Sequence, residues 1–161
     1  MIVARMNKST IVEKASEAIN SYDPFELAKE LSIEVQFTDE LPNGYFGLSI
    51  PELDVIFIHN SFMDKQASYF YCAHELFHTV EDSGIQGYYN VSNLTKNRIE
   101  YSTNQKAICL LIKLFSVKFE ITLLTTYQHI MSAFDIPEDL DFMVEELFRN
   151  WANNNVTIVH N

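Results

Sequence analysis

Two histidines four residues apart, with a glutamate directly after the first, form the segment of this chain best suited to chemistry. They are His74, Glu75 and His78, in an H-E-x-x-H motif. On a helix, residues four apart lie one turn above each other, so both imidazoles can reach the same ion. The Glu75 carboxylate, one position round the helix, can contact a water beside that ion without being a ligand. The pattern predicts zinc-dependent hydrolysis, with His74 and His78 as ligands and Glu75 as general base.

A catalytic zinc site needs a third protein ligand, and Glu100 on the next predicted helix is the candidate. Asn104 lies one turn further along the same face, with the small Ala107 beneath it to let the two helices approach. We expect Asn104 to accept a hydrogen bond from the non-ligating nitrogen of a zinc histidine. Two plainer alternatives stay open. Glu100 can be a solvated helix carboxylate, and the motif helix can hold two metal-free histidines bonded to backbone.

Other polar residues fit such a site less well. Glu81 shares the histidine helix, but it lies about 10 Å along the axis from His74, too far to share one ion readily. His59, at the end of a predicted strand, either lines the cleft or is a structural or merely exposed histidine, and the second alternative is commoner. His129 and His160 are predicted surface residues. Three tyrosines are equal candidates for stabilising an oxyanion: Tyr88, Tyr89 and Tyr101.

Two long helices must position these side chains. Apolar spacing predicts the motif helix from Ser61 to about Glu81, with Ser61 and Asp64 as a capping pair. Gly84 and Gly87 then predict a break and a loop to about Leu94. The helix that carries Glu100 is predicted from about Lys96 to Ser116.

Shorter elements surround the two long helices. Alternating apolar residues predict three strands, at 33–37, 45–50 and 55–58, which we expect to form a small antiparallel sheet. The tail contains two helical patterns separated by Ile136-Pro137, and residues 157–159 form either a short strand or a frayed end. The fold class predicted from these elements is α+β and mostly helical.

Length and charge limit the organisation and the partners. At 161 residues the chain fits one domain, which we divide into a catalytic core, residues 1–116, and a C-terminal helical extension, residues 117–161. The 22 acidic residues against 11 basic ones give a net charge of −11, which disfavours direct binding of nucleic acid or of an anionic membrane and suits a basic protein partner. Cys72 and Cys109 are predicted to be buried free thiols, and the cytoplasm is the expected location.

With these residues in place, the chain resembles the ImmA/IrrE family of metallopeptidases. The resemblance runs from Pro24-Phe25-Glu26-Leu27 through Gly47 and Val55-Ile56-Phe57-Ile58 to the H-E-x-x-H motif, and it ends at Glu100 to Leu111. Phe77 stands where the family usually has Gly, and Lys106 where it has Phe; neither is a ligand position. The tail after Ser116 matches the family only loosely.

The resemblance implies a zincin-like fold and a function. By position, His74, His78 and Glu100 become the zinc ligands, and Glu75 the catalytic base. Such proteins look like phage, mobile-element or stress-response proteins that cleave or inactivate a helix-turn-helix repressor. We therefore expect a zinc-dependent metalloendopeptidase whose substrate is a DNA-binding repressor. The alternative is a non-proteolytic module that binds and sequesters the repressor.

Overall fold

The computed structural model describes residues 10–81 and 93–156. Helices dominate and three strands form one small sheet, so the α+β prediction is confirmed. Among the described helices, none combines the length and apolarity needed to cross a membrane. The elements in chain order are α1 Ile11–Ile19, α2 Pro24–Glu30, β1 Glu34–Thr38, β2 Gly47–Ile50, β3 Val55–His59, α3 Ala67–Glu81, α4 Asn93–Lys118, α5 Tyr127–Phe134 and α6 Asp141–Asn155.

The sheet is mixed, so the prediction of an antiparallel sheet is wrong for one of its two strand pairs. Residues 51–54 connect β2 to β3, and these two strands pair antiparallel. β1 and β3 pair in parallel, and the strand order is β1-β3-β2. Residues 39–46 connect β1 to β2 and must pass the central strand, a distance of about two spacings of 4.8 Å each. Eight residues span that distance easily, which lets β3 insert between its predecessors.

The motif helix begins later than its apolar pattern predicts. Ser61 lies in a short 3-10 turn, Asn60–Phe62, and α3 starts only at Ala67. Asp64 has a φ of 58°, in the left-handed region, where an α-helix cannot continue. The predicted capping pair of Ser61 and Asp64 is therefore wrong. The Nδ1 atom of His59 caps the 3-10 turn instead, by accepting a hydrogen bond from the Ser61 N–H at 3.2 Å.

The helix that carries Glu100 is confirmed, and it extends beyond its predicted ends to Asn93 and Lys118. The predicted glycine break before it, at Gly84 and Gly87, lies outside the described residues. α4 runs through residue 116, where we divided core from extension. Side chains from both sides of that point join one hydrophobic cluster, including Leu76, Ile108, Leu111, Ile130, Phe134, Val144 and Phe148.

The tail forms the two predicted helices, α5 and α6, separated at Ile136-Pro137. Phe134 of α5 is buried against α3 and α4, with Ile136 directly after it. α6 buries Val144 and Phe148 and packs against α4. The tail helices therefore support the long helix that carries Glu100. The predicted strand or frayed end at 157–159 lies outside the described residues.

Candidate metal centre

The structure brings together the three predicted ligand side chains from α3 and α4. The Nε2 atoms of His74 and His78 lie 3.0 Å apart. One Glu100 oxygen lies 3.2 Å from Nε2 of His74, and the other lies 3.0 Å from Nε2 of His78. Among the described residues, these three form the group of histidine, cysteine and carboxylate side chains able to hold a metal ion. The two histidine side chains are 13% and 10% exposed and Glu100 is 38% exposed, so the cluster opens to solvent on the Glu100 side.

The spacing of these donor atoms fits a metal ion. Bonds of 2.0–2.1 Å at tetrahedral angles place ligand atoms about 3.3 Å apart. The separation of the two Nε2 atoms, and that of each Nε2 from one of the two Glu100 oxygens, is close to this value. Hydrogen bonds alone explain the cluster poorly. If both Nε2 atoms carry a proton and donate to Glu100, two N–H groups repel each other across 3.0 Å. If either Nε2 lacks its proton, its lone pair faces the carboxylate oxygens and repels them. A cation at the centre removes both conflicts.

Glu75 points from the same helix into a narrow space beside the edge strand β2. Its side chain is buried, with 7% of the residue exposed. A Cβ built at Gly47 would lie 2.9 Å from the Glu75 Oε1 atom and 3.0 Å from its Cγ, closer than real Cβ contacts come. The side chain of Ser49, two residues along the same face of β2, hydrogen-bonds the carboxylate. Gly47 and Ser49 thus form a fitted seat for Glu75.

Opposing effects act on the pKa of the Glu75 carboxyl. Burial raises the pKa of the Glu75 carboxyl above its usual value, and the charge of Glu100 adds to this. His74, His78 and the Ser49 hydrogen bond act in the opposite direction without cancelling the burial effect. A carboxylate with a raised pKa is a stronger base near neutral pH than an exposed one. The position of Glu75 suits transfer of a proton to and from a water at the cluster.

Gly47→Ala is expected to displace the Glu75 carboxylate, since the added methyl group occupies its place. The carboxylate is the end of a flexible side chain, so the fold should survive. Glu75 is the predicted general base, so a shift of its carboxylate by several tenths of an ångström is expected to lower kcat for the predicted peptide hydrolysis by about 10- to 100-fold. Steady-state kinetics on one peptide, with thermal melting in parallel, measure the effect.

Gly44→Ala is the matched control for this substitution. Gly44 has a φ of 85° and no heavy atom within 4 Å of its built Cβ. Alanine there strains the backbone and should lower the free energy of unfolding by about 1 kcal/mol while leaving kcat unchanged. Equal kcat for Gly47→Ala and the wild type would contradict the seat described for Glu75.

The remaining sequence candidates lie elsewhere. Asn104 lines a cavity between α4 and α6. His74 Nδ1 is buried with no hydrogen-bond partner, so the predicted bond from this histidine to Asn104 is absent. Glu81 forms an ion pair with Lys106, which ties the end of α3 to α4 near the cluster. His129 is exposed, as predicted, and its Nδ1 accepts the Thr126 N–H at 3.0 Å.

The proposed oxyanion tyrosines and the last histidine are only partly described. Tyr101 is 52% exposed and lines the same cavity as Glu100. Tyr88, Tyr89 and His160 lie outside the described residues. Of the three tyrosines, Tyr101 is therefore the one that the structure places beside the cluster.

Both cysteines are free, as predicted, but the prediction that both are buried is wrong for Cys109. Cys72 is fully buried, whereas Cys109 is only half-buried and borders a cavity between α1 and α4. Burial raises the pKa of the Cys109 thiol, and the nearby Lys113 partly opposes this.

Iodoacetamide is expected to alkylate Cys109 but not Cys72 in the folded protein, because only Cys109 is accessible. The rate should rise with pH as the thiolate forms above the ordinary thiol pKa, and Lys113→Gln should slow it. Peptide mapping by mass spectrometry measures both rates. Equal labelling of the two thiols before unfolding would contradict the burial of Cys72.

Residues that contact the site from segments far away in the chain were missed in the sequence analysis. Ser49 reaches Glu75 from a strand, and nothing in its local sequence indicates that contact. Gly47 carried a usable signal, since a glycine inside a strand pattern often marks close approach of another group. Asp139, Phe142 and Glu146 of the tail reach the Glu100 side of the cluster only through packing of α6 on α4.

Comparisons of the chain with protein-family models, with curated proteins and with solved structures find no match. The interpretation of the site therefore depends on its geometry and on the motif itself.

Proposed function

We propose that the protein is a zinc-dependent metallopeptidase with ligands His74, His78 and Glu100 and with Glu75 as general base. The observation that carries the proposal is the convergence of two imidazole nitrogens and the two oxygens of the Glu100 carboxylate. The nitrogens lie 3.0 Å apart, and each lies 3.0–3.2 Å from a different Glu100 oxygen, with the buried Glu75 carboxylate beside them. Three protein ligands are characteristic of catalytic zinc, whereas structural zinc normally has four. The arrangement is consistent with the zincin-like fold expected from the resemblance to ImmA/IrrE proteins.

Zinc is the metal that this donor set suits best. Two imidazole nitrogens and one carboxylate oxygen are borderline ligands, and the same combination serves catalytic zinc in other hydrolases. Calcium and magnesium prefer sets made only of oxygen atoms. When bound, zinc acidifies water and polarises a carbonyl group.

The protein's own residues account for the proton transfers of peptide hydrolysis. Glu75, held between Gly47 and Ser49, takes a proton from the attacking water. It then delivers that proton to the amine nitrogen that leaves when the peptide bond breaks.

A free strand edge beside Glu75 supports a peptide as the substrate. β2 is an edge strand of the described sheet. The His59 N–H donates to the Phe46 carbonyl at 2.9 Å, so Phe46 and His59 are a hydrogen-bonded pair of the β2–β3 ladder. Hydrogen-bonded and non-hydrogen-bonded pairs alternate along an antiparallel ladder. Alternation then directs the backbone groups of Gly47 and Ser49 away from β3. An extended peptide can pair with these groups as an added strand, which places its backbone next to Glu75.

The proposed substrate is a helix-turn-helix repressor, on the ground of the ImmA/IrrE resemblance and the acidic charge of the chain. The test is incubation of the zinc-loaded protein with a purified repressor of this type and, in parallel, with peptides from a digested proteome. We expect new peptide termini, found by mass spectrometry, that vanish when a chelator removes the metal.

The Glu75→Gln protein is the control for contaminating proteases, because it differs from the wild type by one atom group at the site. Cleavage that persists with this variant would assign the activity to a contaminant. If the repressor binds and stays intact while zinc is stoichiometric, the sequestering module becomes the better description.

A further inference from the structure

A cavity of about 390 Å³ adjoins the candidate metal centre on its open side. Glu100 belongs to both, since it lines the cavity and contacts the two histidines. One wall comes from α4 and the other from the start of α6 and the turn before it. The side chains that the argument uses are Tyr101, Asp139, Phe142 and Glu146.

The far wall of this cavity is acidic. Asp139 and Glu146 are both exposed, and no lysine, arginine or histidine lines the cavity in the part of the chain that the structure describes. The negative field also reaches α3. Burial raises the pKa of the Tyr71 hydroxyl, and Asp135 and Asp139 raise it further. With a net charge of −11 for the whole chain, this wall attracts cations.

Two exposed aromatic rings border the same cavity. Phe142 is 80% exposed at the start of α6, and Tyr101 is 52% exposed on α4. A large apolar ring left in solvent next to carboxylates offers two contacts to a long cationic side chain. Its aliphatic stem covers the ring, and its charged head meets the carboxylates. A planar guanidinium, which stacks on rings and binds carboxylates through two N–H groups, gains more than an ammonium.

We propose that this cavity is a specificity subsite that binds an arginine side chain of the peptide substrate next to the scissile bond. The proposal rests on the proposed function, because the cavity has this role only if a peptide lies across the Glu75 and Glu100 side chains. It assigns Asp139 and Glu146 as specificity-determining residues that recognise charge and do not take part in bond cleavage.

The test measures binding apart from hydrolysis, with the zinc-loaded Glu75→Gln protein. The probes are fluorescently labelled octapeptides of Ala and Ser that carry one arginine at each position in turn. A second set carries citrulline, which has nearly the same shape without the charge. At one position we expect arginine to bind about tenfold more tightly than citrulline at low salt, because two exposed charges and a ring each contribute modestly. The ratio should fall as salt increases.

Substitution of the acidic wall should abolish this preference. In the double variant Asp139→Asn/Glu146→Gln the two peptides are expected to bind within about twofold of each other. Glu138→Gln is the matched control for the Asp139→Asn half of this variant, since each removes one negative charge from the same turn but only Asp139 lines the cavity. The subsite is overturned if no position prefers arginine, if the double variant keeps the ratio, or if Glu138→Gln loses it equally.

Hydrolysis by the wild-type protein distinguishes failure of the arginine subsite from failure of the proposed peptidase function. Cleavage of arginine and citrulline peptides at equal rates, with equal binding, rejects the subsite and leaves the peptidase intact. Charge-dependent binding of the expected pattern without any cleavage rejects the peptidase and leaves the arginine site.

Discussion

Glu75→Gln is expected to lower the rate of peptide hydrolysis by about 10²- to 10⁴-fold, the usual contribution of a general base. Glutamine has almost the same shape, so it fits beside Gly47 and keeps a polar contact with Ser49. It cannot accept the proton of the attacking water. Zinc content should stay that of the wild type, because the three proposed ligands are unchanged. Single-turnover cleavage and metal analysis of the same sample measure both quantities.

Glu81→Gln is the matched control for this experiment. The same substitution is made on the same helix, and the Glu81 carboxylate pairs with Lys106 instead of facing the cluster. It should cost little activity. Hydrolysis by Glu75→Gln at the wild-type rate would show that another group is the base.

Loss of one proposed ligand is expected to remove tightly bound zinc. His78→Ala and Glu100→Ala each leave two of the three converging donor atoms. Substitution of residues around a metal site outside its ligand set already weakens affinity by 10- to 100-fold, so loss of a ligand should exceed about 100-fold. Competition with a chromophoric chelator measures the affinity. Zinc should raise the melting temperature of the wild type by mass action and leave that of Glu100→Ala unchanged.

His129→Ala serves as the control, since it removes an exposed imidazole on α5 that is not part of the cluster. It should bind zinc as the wild type does. Glu100→Ala protein that purifies with stoichiometric, tightly held zinc would contradict the assignment of Glu100.

The predictable part of the site is the part that one helix determines. His74 and His78 meet because residues four apart share a helix face, and this needs no knowledge of the rest of the fold. Glu100 needed more. Its side chain faces the histidines only because α4 packs on α3. The helical pattern placed Glu100 on the next long helix, on one face with Asn104, and the family resemblance then matched it to a ligand position.

The errors in the fold arise where long-range packing decides the outcome. Alternation identified three strands, but the order β1-β3-β2 depends on where the connection 39–46 crosses. The late start of α3 depends on one residue, Asp64, in the left-handed region. Apolar periodicity alone does not reveal that a single residue adopts a left-handed backbone conformation. Asn104 lies on the predicted helix and its side chain lines the cavity beside α6. The predicted bond from a zinc histidine to Asn104 does not involve His74, whose Nδ1 has no hydrogen-bond partner.

The insertion of β3 between the other two strands has a consequence for how the chain assembles. β2 and β3 are joined by residues 51–54 and can pair as a local hairpin, whereas β1 must close a much longer loop to reach the same strand. We expect the hairpin to form first, before β1 docks along it. Gly47 and Ser49 both belong to that hairpin, so we expect the seat of the Glu75 carboxylate to be complete at an early stage of folding.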